Sequence, residues 1–83
     1  MGMLRVLSRR GDDRVAWETR LVELGDPEAL AAVREAERIF REQRRAGATA
    51  FRVEPARPPV RVDEFDRAAE QIVMIPRVVG GSW

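Results

Sequence analysis

The sequence predicts a single small α+β domain, one long helix packed on a four- to five-stranded mixed sheet. Three observations carry that reading. Residues 27–43 repeat apolar side chains at steps of three and four, the spacing of a helix with one buried stripe. Residues 3–8, 14–19 and 48–54 alternate with the two-residue period of strands. Residues 72–75 (IVMI) form an unbroken apolar run between Gln71 and Pro76, too short for a core helix and rich in β-branched side chains, which reads as a buried central strand. With 83 residues the chain has room for one hydrophobic core, assigned to residues 1–76, and residues 77–83 follow as a C-terminal tail.

In the first segment, residues 3–8, Leu4 and Val6 alternate with Arg5. Arg9, Arg10, Gly11, Asp12 and Asp13 make a polar turn whose glycine can take a positive φ. Val15 and Trp17 then alternate with Arg14, Ala16 and Glu18, so the two segments read as a hairpin with a loop of about five residues. Leu21, Val22 and Leu24 are expected to cover the core on the way to the helix. That helix begins after Asp26, an N-cap residue, with Pro27 at its first position and Glu28 at the positive end of its dipole. Its buried stripe is Ala29, Ala32, Val33, Ala36, Ile39, Phe40 and Gln43, and the small residues at its start let it lie close to a sheet. Arg41, Arg44 and Arg45 crowd its negative end, and Gly47 is the natural stop.

After the helix, Thr49, Phe51 and Val53 alternate with Ala50, Arg52 and Glu54 in a half-buried strand. Pro55, Pro58 and Pro59 make an extended connector unsuited to a central strand. Residues 60–63 (VRVD) read as a short edge strand, Phe65 as a plug for the core below it, and residues 66–70 as an isolated helical turn. Hairpin, helix, strand, connector with a short strand, and last strand is the order of a β-grasp-like domain; a split or ferredoxin-like sheet is the alternative.

Composition narrows the function. A 45% hydrophobic, 35% charged chain has the balance of a globular domain, and no run approaches the apolar length needed to span a membrane. No signal peptide is visible before Arg9-Arg10 and there is no cysteine for a disulfide framework, so a cytoplasmic location is expected. The chain also lacks His, Lys and Tyr, and all fifteen basic residues are Arg. Without His and Cys it has neither the usual transition-metal ligands nor a thiolate nucleophile nor a side chain titrating near neutrality. Without Lys it has no Schiff-base chemistry and no P-loop. Carboxylates, hydroxyls and Arg remain, with nothing to activate a hydroxyl; no catalytic residue, cofactor or metal site is expected. The acid groups Asp12-Asp13 and Asp63-Glu64-Asp66 read as solvated turn residues.

The last strand and tail carry the one resemblance to known families. Ile72-Val73-Met74-Ile75-Pro76-Arg77-Val78-Val79-Gly80-Gly81 is similar to the C-terminus of ubiquitin-like sulfur carriers, the small subunit of molybdopterin synthase and the thiamine sulfur carrier. There a final apolar strand runs through a proline-containing tail to Gly-Gly, whose carboxylate is adenylated and then becomes a thiocarboxylate or an amide link. The resemblance implies that Gly81 is the reactive residue, that Gly80 is its slim neighbour in a narrow catalytic channel, and that Arg77, Val78 and Val79 are read by an activating enzyme. Ser82 and Trp83 follow the glycines, so a processing peptidase would have to expose the carboxylate. The succession GDDRVAW, AFRVE, EFD and terminal Gly-Gly also resembles small uncharacterised bacterial and phage proteins, a likeness that implies no activity.

The residues themselves favour an adaptor or structural protein acting by contact, with a protein partner or a second copy. Its working surface is the last strand and the tail, with Trp83 as an aromatic anchor. Nucleic-acid binding is disfavoured: Arg9-Arg10 and Arg41/Arg44/Arg45 are local clusters, but the net charge is only +1 and acids are interspersed.

Overall fold

The computed structural model describes residues 1–8 and 11–77. The elements are β1 (Gly2–Ser8), β2 (Gly11–Trp17), α1 (Thr19–Glu23), α2 (Pro27–Arg45), β3 (Thr49–Val53), β4 (Val60–Val62) and β5 (Gln71–Ile75). The five strands form one mixed sheet in the order β2-β1-β5-β3-β4. The β1–β5 pair is parallel, and β1–β2, β3–β5 and β3–β4 are antiparallel. This is the β-grasp-like arrangement, with the last strand inserted between the first and the third.

Strand alternation sorts the sheet into two faces. Leu4 and Val6 of β1, Trp17 of β2, Ala50 of β3 and Ile72 and Met74 of β5 are buried, together with Ala29, Val33, Ala36 and Phe40 of α2. The long helix therefore covers this face, and its small residues allow the close approach that the alanine stripe implied. Asp26 caps it as expected, its carboxylate accepting from the Ala29 amide at 3.0 Å. At the other end Gly47 adopts φ +97, a conformation that only glycine takes without strain. Arg44 also donates to the Ala48 carbonyl at 2.8 Å and to Asp63 at 3.2 Å, tying the helix end to the residue that follows β4.

Trp17 joins the hairpin to the rest of the core. Its ring packs against Phe65, which in turn meets Phe40 edge-on, with centroids 5.6 and 5.8 Å apart. Its indole N–H donates to the Arg67 carbonyl at 3.1 Å. Phe65 thus plugs the core as expected. Within the stretch 66–70, residues 66–69 form a hydrogen-bonded turn, the Ala69 amide donating to the Asp66 carbonyl, and Ala69 is buried.

Three details differ from the sequence expectation. The hairpin loop is shorter: Ser8 pairs with Gly11, which leaves only Arg9 and Arg10 between the strands. Asp12 and Asp13 are strand residues because β2 is an edge strand, which tolerates charge, and Asp12 finds two arginines on one face. Leu21 and Leu24 do not cover the core; they are 42% and 73% exposed, and only Val22 packs inward. The segment forms a helical turn, so residues beside Val22 are rotated away from the core by about 100° per step. Finally, the four apolar residues of β5 are covered from one side only: Ile72 and Met74 are at 0% exposure, whereas Ile75 is 43% exposed.

Gly2 is buried beneath Trp17, and a Cβ there would fall 2.2 Å from the indole ring. Gly2→Ala is expected to destabilise the fold by about 1–3 kcal/mol through this overpacking. Urea unfolding followed by Trp fluorescence measures it; an unchanged midpoint would show that the ring does not lie on Gly2.

Candidate interaction surface

The face of the sheet opposite α2 is built from the other half of each strand. Register places Arg14 of β2, Arg5 of β1, Val73 of β5, Phe51 of β3 and Arg61 of β4 in one row across all five strands. Flanking rows carry Ala16, Met3, Gln71 and Val53 on one side, and Asp12 beside Leu7, with Ile75 beside Thr49, on the other. Met3, Leu7, Phe51, Val53 and Val73 are half-buried and Ile75 is exposed, so an apolar strip runs along β1, β5 and β3.

This strip was the part of the site that sequence reasoning missed. The alternation in residues 48–54 was right, but the side chain of β3 that faces the helix is Ala50, at 0% exposure, while Phe51 and Val53 face away. The available signal was size: a helix bearing Ala29, Ala32 and Ala36 approaches too closely for large side chains on every strand beneath it.

Arg14 on β2 and Arg61 on β4 lie outside the strip, and Arg5 interrupts it on β1 between Met3 and Leu7. Arg5 and Arg14 stand directly opposite each other on adjacent strands, a repulsive arrangement relieved by Asp12. Its carboxylate accepts from Arg5 Nε at 3.0 Å and Nη2 at 2.7 Å, and from Arg14 Nε at 3.0 Å. Hydrogen bonds from Arg5 and then Arg14 hold the Asp12 carboxyl below its ordinary value of 3.8. Among the described residues Arg61 makes no ion pair, and Arg14 uses only Nε. Several of the other charges flagged by the sequence are engaged elsewhere. Arg41 pairs with Glu37, Arg44 with Asp63, and Asp66 with Arg52 at 3.6 Å while capping its own turn through the Ala68 amide. Arg38 bridges Glu35 and Glu42. The outer face of α2 is thus laced with exposed ion pairs of small energetic weight, and no group of acids among the described residues is arranged to hold a metal ion.

Of the tail, Arg77 is described: it is exposed, and its Cβ and Cδ lie against Gly47, where a Cβ would come within 2.9 Å of Cδ. Val78, Val79, Gly80, Gly81, Ser82 and Trp83 lie outside the described residues. Because β5 is paired on both sides, its backbone is committed to the sheet. It can offer a partner only its outward side chains, Gln71, Val73 and Ile75, and the segment that follows. No helix among the described residues is long and apolar enough to cross a membrane. Comparison with protein-family models, curated proteins and solved structures finds no match.

Because Asp12 has a lower pKa folded than unfolded, it stabilises the fold above the unfolded value, and this contribution is lost as pH falls through the folded value. Asp12→Asn should therefore unfold more easily than the parent at pH 7, with the gap narrowing below about pH 4. Thermal unfolding of both proteins between pH 7 and 2 reads this; a gap that is constant with pH would place the carboxylate's role outside its charge.

Proposed function

We propose that this chain is a small, non-catalytic protein-interaction domain of the adaptor or assembly type, whose contact surface is the uncovered side of the sheet, centred on β5, and the tail that leaves it. One observation supports this above the rest: Met3, Leu7, Phe51, Val53, Val73 and Ile75 gather on the face that the long helix α2 leaves open. Contiguous apolar surface ringed by polar groups is the usual mark of a protein contact. The composition agrees, since the chain lacks the His, Cys and Lys on which most catalytic centres rely.

The experiment is site-specific photo-crosslinking in the native host. A benzophenone side chain at Phe51 is expected to yield discrete cross-linked species of higher mass, and the same group at Arg34, on the outer face of α2, is not. Equal yields from both positions, or none from Phe51, would overturn the reading.

A second reading is favoured by the topology. The strand that enters the tail is the middle one of a β-grasp-like sheet, as the resemblance to ubiquitin-like carriers requires, and Arg77 leads from it towards Gly80-Gly81. In that reading Ser82 and Trp83 are removed by a peptidase, Gly81 is activated by an adenylating enzyme, and the open face is where that enzyme docks. Intact-mass analysis of the protein from its host separates the two. A species ending at Gly81, or joined to another protein there, establishes the carrier; a chain retaining Trp83 under all growth conditions removes it.

A further inference from the structure

We infer that the partner element of the open face is an amphipathic helix whose apolar stripe is flanked on both sides by acidic residues. The inference rests on the interaction reading above and adds the chemistry of the partner. The row Arg14–Arg5–Val73–Phe51–Arg61 is apolar at its centre and cationic at both ends. Among the strand residues that register places on this face Asp12 is the one acid, and it is already shared between Arg5 and Arg14. One carboxylate serving two guanidinium groups leaves the terminal nitrogens of Arg14 as donors, and Arg61 brings a whole guanidinium to the opposite edge. Both suit bidentate carboxylates from outside.

Charge and width together choose the occupant. A second copy of this chain laid face to face would bring an apolar centre but also a further excess of arginine, with Asp12 already engaged, so self-pairing is opposed. Adjacent strands lie about 4.8 Å apart, which puts the backbones at Arg5 and Arg61 roughly 14 Å from each other and those at Arg14 and Arg61 roughly 19 Å. A helix with its side chains is about 10–12 Å wide, so one lying along the strands over β5 and β3 fits between these edges, with long carboxylate and guanidinium side chains spanning the remainder. Its apolar side chains would meet Val73, Phe51, Val53 and Ile75, and its flanking carboxylates would reach Arg14 on one edge and Arg61 on the other. A nucleic-acid strand would use the arginines but leave an aliphatic centre, with Phe51 as its one ring, poorly matched to stacked bases.

Two designed 18-residue helical peptides with the same apolar stripe, one flanked by Glu and one by Lys, test this against the full-length protein by calorimetry and by amide chemical-shift mapping. The Glu peptide should bind at least roughly tenfold more tightly than the Lys peptide and shift Val73, Phe51 and Ile75. Arg61→Glu should abolish that preference, Val73→Asp should abolish binding of both, and Arg34→Glu, on the helix, should change neither; dispersed spectra and unchanged melting show that each variant is folded. Equal affinity for both peptides at this face would overturn the acidic-partner inference and leave the face as a docking surface. Absence of any shift on this face up to millimolar peptide would overturn it together with the docking surface. Tighter binding of a 20-residue oligothymidylate than of the Glu peptide would overturn it in favour of nucleic acid.

Discussion

The structure depends on the insertion of β5 between β1 and β3. Its backbone pairs in parallel with β1 and antiparallel with β3, and its inward side chains, Ile72 and Met74, are removed completely from solvent under α2. Without it the sheet is two separate antiparallel pairs, β1–β2 and β3–β4, neither of which has a second layer of its own. Such isolated pairs are marginal in water. The core therefore closes only when residues near the C-terminus join residues near the N-terminus, and the element that completes the fold is also the one that leads to the tail.

That constraint sets where function can reside. One helix can shield one face of a five-stranded sheet, and α2 shields the face lined by Leu4, Val6, Ala50, Ile72 and Met74. The opposite face keeps Val73, Phe51 and their neighbours at its centre and arginines at its margins. With β5 saturated on both edges, addition of a strand next to it is impossible, so contact at β5 must be made by side chains. At the exit of β5 the Arg77 side chain lies against Gly47 at the end of the helix.

Much of this order was legible in the residues. Asp26, Pro27 and Gly47 mark the limits of α2 by chemistry local to the backbone, and the alternation around Leu4, Val6 and Trp17 marks the hairpin. The apolar run 72–75 identified the central strand. What the residues did not disclose was which side of a strand faces the helix when both sides carry apolar groups. Val73 and Ile75 look as buried as Ile72 and Met74, and Phe51 looks more buried than Ala50. Facing is decided by register and by how closely an alanine-rich helix settles on the sheet, both of which are tertiary facts. The role of Asp12 was hidden for the same reason: a strand residue shared by Arg5 and Arg14 looks, in the sequence, like part of a turn.

The most direct test of the two-faced sheet uses its methionines. Brief peroxide treatment followed by peptide mass spectrometry compares Met3, half-buried on the open face, with Met74, at 0% exposure beneath the helix. The account predicts that Met3 is oxidised in the native protein while Met74 remains reduced until the fold is lost. Equal rates at the two residues, or a Met3 as protected as Met74, would contradict it.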